Sequence, residues 1–158
     1  MQLVLPVRMA RKRTDMKFDE LKRSHKGAYI LEFRIDEALH LIVGKLGRIK
    51  FEPGWYYYAG SAMNGLKARI QRHIDGTGKC HWHVDYLRKA IPPVRVWYMI
   101  TENPAENIVV EKLRAGCEGG IKGFGCSDDR KSGTHLFYSK RRRNFRKAMN
   151  VLVFHNND

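Results

Sequence analysis

Three things are scarce in this chain. Its three cysteines, Cys80, Cys117 and Cys126, are odd in number and contain no close pair, which argues against a disulfide framework. No apolar run approaches the roughly 18 residues needed to span a bilayer. The apolar opening Met1–Val7 is short and has no basic segment before it, so it does not read as a secretory signal. These shortages predict a soluble, intracellular (cytoplasmic) protein with no membrane partner. The third shortage is of acids: 16 Asp and Glu stand against 30 Lys and Arg, a net charge of +14. Such a surface repels itself and attracts polyanions. Nucleic acid is the commonest of these, because neutralising phosphates releases condensed counterions. A general basic bias of the source organism is the competing explanation.

The 158 residues, 43% of them hydrophobic, suffice for one core and leave no room for two. No internal repeat or low-complexity tract stands out. Residues 1–26 read as a basic extension. Arg8, Arg11, Lys12 and Arg13 form an arm that either touches phosphates or is a solvated tail, and Met16, Phe18 and Leu21 suit one face of a short helix. The main domain is expected over 27–139 and a basic helix and tail over 140–158. Tyr29–Ile35 alternates, with Glu32 and Arg34 on one face and Tyr29, Leu31, Phe33 and Ile35 on the other, as a strand does. Short strands follow at 39–43, 48–51 and 55–59, separated by turn residues. Counting reversals, the strands of Tyr29 and of Trp55–Ala59 run antiparallel. A helix is expected over 64–74, with Leu66, Ile70 and Ile74 inward and Arg69 and His73 sharing a neighbouring face. Further on come a helix at 83–90, a buried strand at 94–101, a loop at 116–125, a strand at 135–139 and a basic helix at 140–149. Asn103-Pro104-Ala105-Glu106 reads as a helix start, capped by Asn103 with Glu106 at the third position. The pattern predicts an α+β fold, a small, mainly antiparallel central sheet flanked by helices.

The most informative stretch is Tyr56-Tyr57-Tyr58-Ala59-Gly60-Ser61-Ala62-Met63-Asn64-Gly65-Leu66-Lys67-Ala68-Arg69. A strand ends in Tyr-x-Gly, a small loop follows, and a helix delivers Arg69 and then His73. Packing of an aromatic strand on an amphipathic helix accounts for Trp55, Tyr57 and Leu66. It does not account for a Gly-Ser-Ala turn aimed at a helix face bearing Lys67, Arg69, Arg72 and His73.

These residues resemble the GIY-YIG nuclease superfamily. Gly27-Ala28-Tyr29 is similar to its first motif and Tyr58-Ala59-Gly60 to its second. Asn64, Arg69 and His73 match the polar positions of its following helix. Its metal-binding glutamate lies on a later helix, in a pattern of two glutamates five apart, which Glu106 and Glu111 resemble. His81-Trp82-His83-Val84-Asp85-Tyr86 and Gly123-Phe124-Gly125-Cys126-Ser127-Asp128 resemble small stand-alone members of the Uri superfamily of endonucleases. The likeness runs from about Lys26 to Tyr138. Ala28 and Ala59 depart from the family's middle isoleucines, and the connection from Ile30 to Tyr57 is longer than usual. Its extra strands come as a pair, which preserves strand direction.

The resemblance implies a metal-dependent DNA endonuclease. Glu111 would hold one Mg²⁺ or Mn²⁺ ion, a hard cation that commonly keeps waters and takes one or two carboxylates plus phosphate. Glu106 is left to cap its helix. Arg69 would hold the phosphate, where a planar fork of donors fits. Tyr29 and Tyr58 would position or activate the attacking water, with His73 beside them, and Gly60 would leave room for backbone near the phosphate. Ser61, Asn64, Lys67 and Arg72, with Arg141, Arg142 and Arg146, are candidate nucleic-acid contacts. His83, Asp85, Ser127, Asp128 and His135 are candidates for a supporting role. The spacing around Cys80-His81-Trp82-His83 matches no familiar zinc module. Two rival readings remain, a non-catalytic nucleic-acid-binding module and an RNA-directed nuclease.

Overall fold

The strand over Gly27–Ile35 (β2) has partners on both sides. It pairs antiparallel with Gly54–Ala62 (β5) along its whole length and with Arg95–Ile100 (β6) over Gly27–Glu32. The computed structural model describes residues 8–10, 18–76, 78–126 and 133–155. It is an α+β fold built on a seven-stranded antiparallel sheet. From edge to edge the sheet runs Arg8–Ala10 (β1), Asn150–His155 (β9), β6, β2, β5, Leu136–Ser139 (β8) and Gly119–Gly120 (β7). Leu39–Ile42 (β3) and Arg48–Phe51 (β4) form a separate hairpin, the paired insertion between β2 and β5. The helices are Leu66–Asp75 (α1), His83–Ala90 (α2) and Glu106–Gly116 (α3). No helix among the described residues is long and apolar enough to cross a membrane.

The sheet is covered on both faces. On one, Tyr29, Leu31, Phe33 and Tyr58 pack with Leu66 and Ile70 of α1 and with Val84 and Leu87 of α2. On the other, Ala28, Ile30, Tyr57 and Trp97 meet Val109, Val110 and Leu113 of α3. The β2 face that carries Glu32 and Arg34 is therefore a second core, and Glu32 is fully buried in it while Arg34 stays exposed. A buried carboxylate needs partners. Glu32 accepts from Arg142 Nη2 at 2.9 Å and Trp97 Nε1 at 3.4 Å, with Arg95 Nε at 3.9 Å.

Three expected boundaries change. Residues 140–149 form no helix: their backbone is irregular and leads into β9, which pairs with β6. Local polar partners compete with helix here. The Arg143 N–H donates to Tyr57 Oη at 2.7 Å, and the Ser139 hydroxyl donates to the Arg141 carbonyl at 2.6 Å. The sheet thus continues beyond residue 139. At the other end, β1 pairs with β9, while Phe18 and Leu21 enter the core beside a single 3₁₀ turn at Phe18–Glu20, so residues 1–26 are not wholly an appendage. Met16 lies outside the described residues. Finally, α3 starts at Glu106 with Ala105 before it and no side-chain cap. Thr101 engages Asn103 instead, accepting its N–H and donating to its carbonyl, both at 3.2 Å.

Candidate active site

Antiparallel pairing places Tyr29 opposite Gly60. The Tyr29 ring lies over that glycine so closely that a Cβ at position 60 would collide with its hydroxyl end. Gly60 is thus fixed by the tyrosine as much as by any phosphate. Gly60→Ala should cost about 1–3 kcal/mol, the usual penalty for overpacking, as a lower urea midpoint with an unchanged m-value. Tyr58, two residues earlier on β5, points to the same face. Helix α1 supplies the next layer. His73 Nε2 lies 2.9 Å from the Tyr29 hydroxyl, and Arg69, one turn earlier, reaches the Ser61 carbonyl at 3.5 Å. Tyr29, Tyr58, Arg69, Trp82, Glu106 and His135 line a cavity of about 230 Å³, together with Gly60, Ser61 and Gly125.

Glu111 is not in that cavity. Its side chain is 65% exposed and accepts from Arg114 Nη1 at 2.8 Å. Two helix positions five apart point about 140° away from each other, so only one of Glu106 and Glu111 can face the tyrosines. The structure turns Glu106 inward, where its Oε1 lies 3.6 Å from His135 Nδ1. The cap expected of Glu106 had hidden it. The usable signal was the core face of α3, since Val109, Val110 and Leu113 fix the helix rotation.

Trp82 was also missed. Its indole lies under the guanidinium groups of Arg69 at 4.3 Å and Arg72 at 4.5 Å and forms part of the cavity wall. Asp85 anchors this corner. It accepts from both terminal nitrogens of Arg72, from Arg88 Nε, and from the N–H groups of His81 and Trp82, all at 2.8–2.9 Å. Burial opposes its charge, but these donors outweigh burial and hold its carboxyl well below the usual carboxylate range. His83 Nδ1 accepts the N–H of Gly125 at 2.8 Å. Gly125 has a left-handed φ of 74°, and a Cβ there would come within 3.0 Å of Tyr58. The described parts of the two motifs, 81–86 and 123–126, therefore meet beside Tyr58.

The remaining candidates are dispersed. Asn64 is exposed in the turn before α1, and the Lys67 ammonium sits over the Phe18 ring at 5.6 Å. Arg72 is committed to Asp85. Arg142 is committed to Glu32 and stacks on Trp55 at 4.6 Å. Arg141 is exposed and Arg146 lines a different cavity, so the three arginines do not form one helical face. Ser127 and Asp128 lie outside the described residues. Among the described residues no three His, Cys, Asp or Glu side chains gather as a metal-ligand set, and none of the three cysteines is in a disulfide.

The electrostatics favour neutral groups around the cavity. Burial pushes the Tyr29 phenol up to about 12, against a lowering by Arg69, and raises Tyr58 well above its ordinary value. Burial, helped by the positive charge of Arg88, pulls His73 down to about 3. A neutral imidazole therefore fixes a neutral phenol. Between pH ~6.5 and 3 an unfolded chain protonates His73 and the folded chain does not. Stability should accordingly fall as pH drops through that window, by up to about 1.4 kcal/mol per pH unit. Burial moves His83 in the same direction, and Asp85 extends the loss below pH ~4. Urea midpoints from pH 7 to 4 should show a shallower slope in His73→Gln.

The chain matches the family model described as a domain of unknown function, DUF123, over residues 28–156. It belongs to the DUF123 family. Comparison with curated proteins and with solved structures gives no match. The match begins in β2 and ends just past β9, so the DUF123 domain includes the segment after residue 139 as well as every side chain lining the cavity.

Proposed function

We propose that this DUF123 domain is a metal-dependent nuclease of the GIY-YIG type that hydrolyses phosphodiester bonds in DNA. The reading is supported by one observation above all. Two tyrosines, one arginine and one carboxylate, from β2, β5, α1 and α3, meet in a single cavity.

Glu106 is the carboxylate of that cavity, with His135 beside it. A single carboxylate fits a hard divalent ion that keeps most of its waters, and does not fit a closed protein cage. Bound there, Mg²⁺ or Mn²⁺ supplies positive charge to the phosphate and lowers the pKa of a water. Arg69 holds non-bridging phosphate oxygens, its guanidinium plane set by Trp82. Tyr29 acts as a neutral hydroxyl that orients the attacking water. A phenol near 12 beside an imidazole near 3 is poorly matched to carry the proton away at neutral pH. His73 fixes the Tyr29 hydroxyl, and Tyr58 lines the same cavity.

The test is incubation of the purified chain with single-stranded, duplex and branched DNA and with RNA, each with Mg²⁺, with Mn²⁺ and with chelator. Cut DNA is expected only with metal. Binding without cleavage of any substrate would return the chain to the class of binding modules, and cleavage of RNA alone would move the substrate.

A further inference from the structure

On the α3 side of the sheet lies a second cavity, larger than the first, of about 590 Å³. Its floor is Ile30 of β2 and Met99 of β6. One wall is α3, through Ile108 and Val109, and the other is the irregular segment before β9, through Phe145 and Met149. This volume is that of a small-ligand site. Ile108 is 58% exposed beside it, an apolar side chain left facing water.

Three cations stand in this apolar setting: Lys112, Arg146 and Lys147. No carboxylate lines the cavity, and among the described residues none of the three has an ion pair. The Nη2 of Arg146 is buried with no hydrogen-bond partner among the described residues. A buried donor without an acceptor is costly, more so when charged. The cavity thus offers apolar surface for the body of a ligand and three cationic side chains in its lining for an acidic end.

We propose that this cavity binds a small anionic amphiphile, an alkyl or aromatic body carrying one acidic head group. The body rests on Ile30, Met99, Phe145 and Met149. The head group accepts from Arg146, with Lys112 and Lys147 adding positive potential. A neutral apolar ligand would leave the three lining cations without a counter-charge. A nucleic-acid strand would call for an exposed cationic track rather than an apolar hollow. The inference is independent of the nuclease reading.

The test uses the full chain and displacement of 1-anilinonaphthalene-8-sulfonate, a fluorescent anionic aromatic, by decanoate, decyl phosphate or decanol. One saturable site is expected, with both anions displacing the dye at concentrations at least tenfold below decanol. Arg146→Gln should weaken decanoate about tenfold, the loss of one charged hydrogen bond, and leave decanol unchanged. Lys89→Gln, an exposed change on α2 away from the cavity, should change neither, and circular dichroism checks that both variants fold. Unsaturable dye binding, decanol equal to the anions, or equal weakening by Lys89→Gln and Arg146→Gln would each overturn the proposal.

Discussion

Glu106→Gln is expected to lower metal-dependent cleavage by on the order of 10³, whereas Glu111→Gln should stay within about threefold of the unmodified chain. A metal ion at a phosphate contributes several kcal/mol of charge stabilisation, and each ~1.4 kcal/mol is a factor of ten in rate. Only Glu106 lines the cavity with Tyr29, Tyr58 and Arg69. Glu111 is exposed and bound to Arg114 one turn along the same helix, a kind of surface pair that adds little even to stability. Neither change removes core packing, so both variants should unfold within about 0.5 kcal/mol of the parent. Single-turnover rates at saturating Mn²⁺, read beside urea midpoints, separate the two glutamates. A large loss from Glu111→Gln alone would require α3 to be rotated from the orientation that Val109, Val110 and Leu113 fix.

Arg69→Ala should reduce cleavage by about 10²–10³, the range for losing one preorganised donor to developing charge, and Arg69→Lys should recover less than tenfold of it. The reason is shape. The Arg69 guanidinium sits over the Trp82 ring at 4.3 Å, and its bonds to the Ser61 carbonyl, at 3.5 Å, and to the Tyr29 hydroxyl leave part of its five-donor fork for the cavity. A lysine ammonium has neither a plane to stack nor a fork to grip two phosphate oxygens. Trp82→Ala should fall between the two, because it removes the surface that sets the guanidinium plane but leaves the charge. Full recovery by lysine, measured as kcat/KM on the same DNA, would mean that Arg69 contributes only positive potential.

Much of the framework was legible in the sequence because its signals are local. Alternation in Tyr29–Ile35, turn residues around the hairpin, and the four-residue spacing of Leu66 and Ile70 located β2, β3, β4, β5 and α1. Antiparallel counting then let the strands of Tyr29 and Trp55–Ala59 lie side by side, and the register that sets Tyr29 opposite Gly60 came from the structure. What was not legible depends on distant partners. Alternation put Glu32 on one face with Arg34, and nothing local announces that Arg142, 110 residues away, will cover it. The basic run at 140–149 looked helical by composition, but Ser139 and Tyr57 take some of its backbone groups. Glu106 was misread because Asn-Pro-Ala-Glu is a good capping sequence, whereas α3 starts at Glu106 with no side-chain cap and the glutamate lines the cavity. Trp82 joins the cavity through two arginines of another helix, which spacing within its own segment does not reveal.

The account rests on one carboxylate holding one metal ion in the cavity of Tyr29 and Arg69. The direct measurement is Mn²⁺ titration followed by electron paramagnetic resonance, on the chain saturated with a DNA oligonucleotide carrying a non-hydrolysable backbone. One ion per chain is predicted, bound at least tenfold more weakly in Glu106→Gln and unchanged in Glu111→Gln. Equal binding by the parent and Glu106→Gln, or a loss confined to Glu111→Gln, would contradict it.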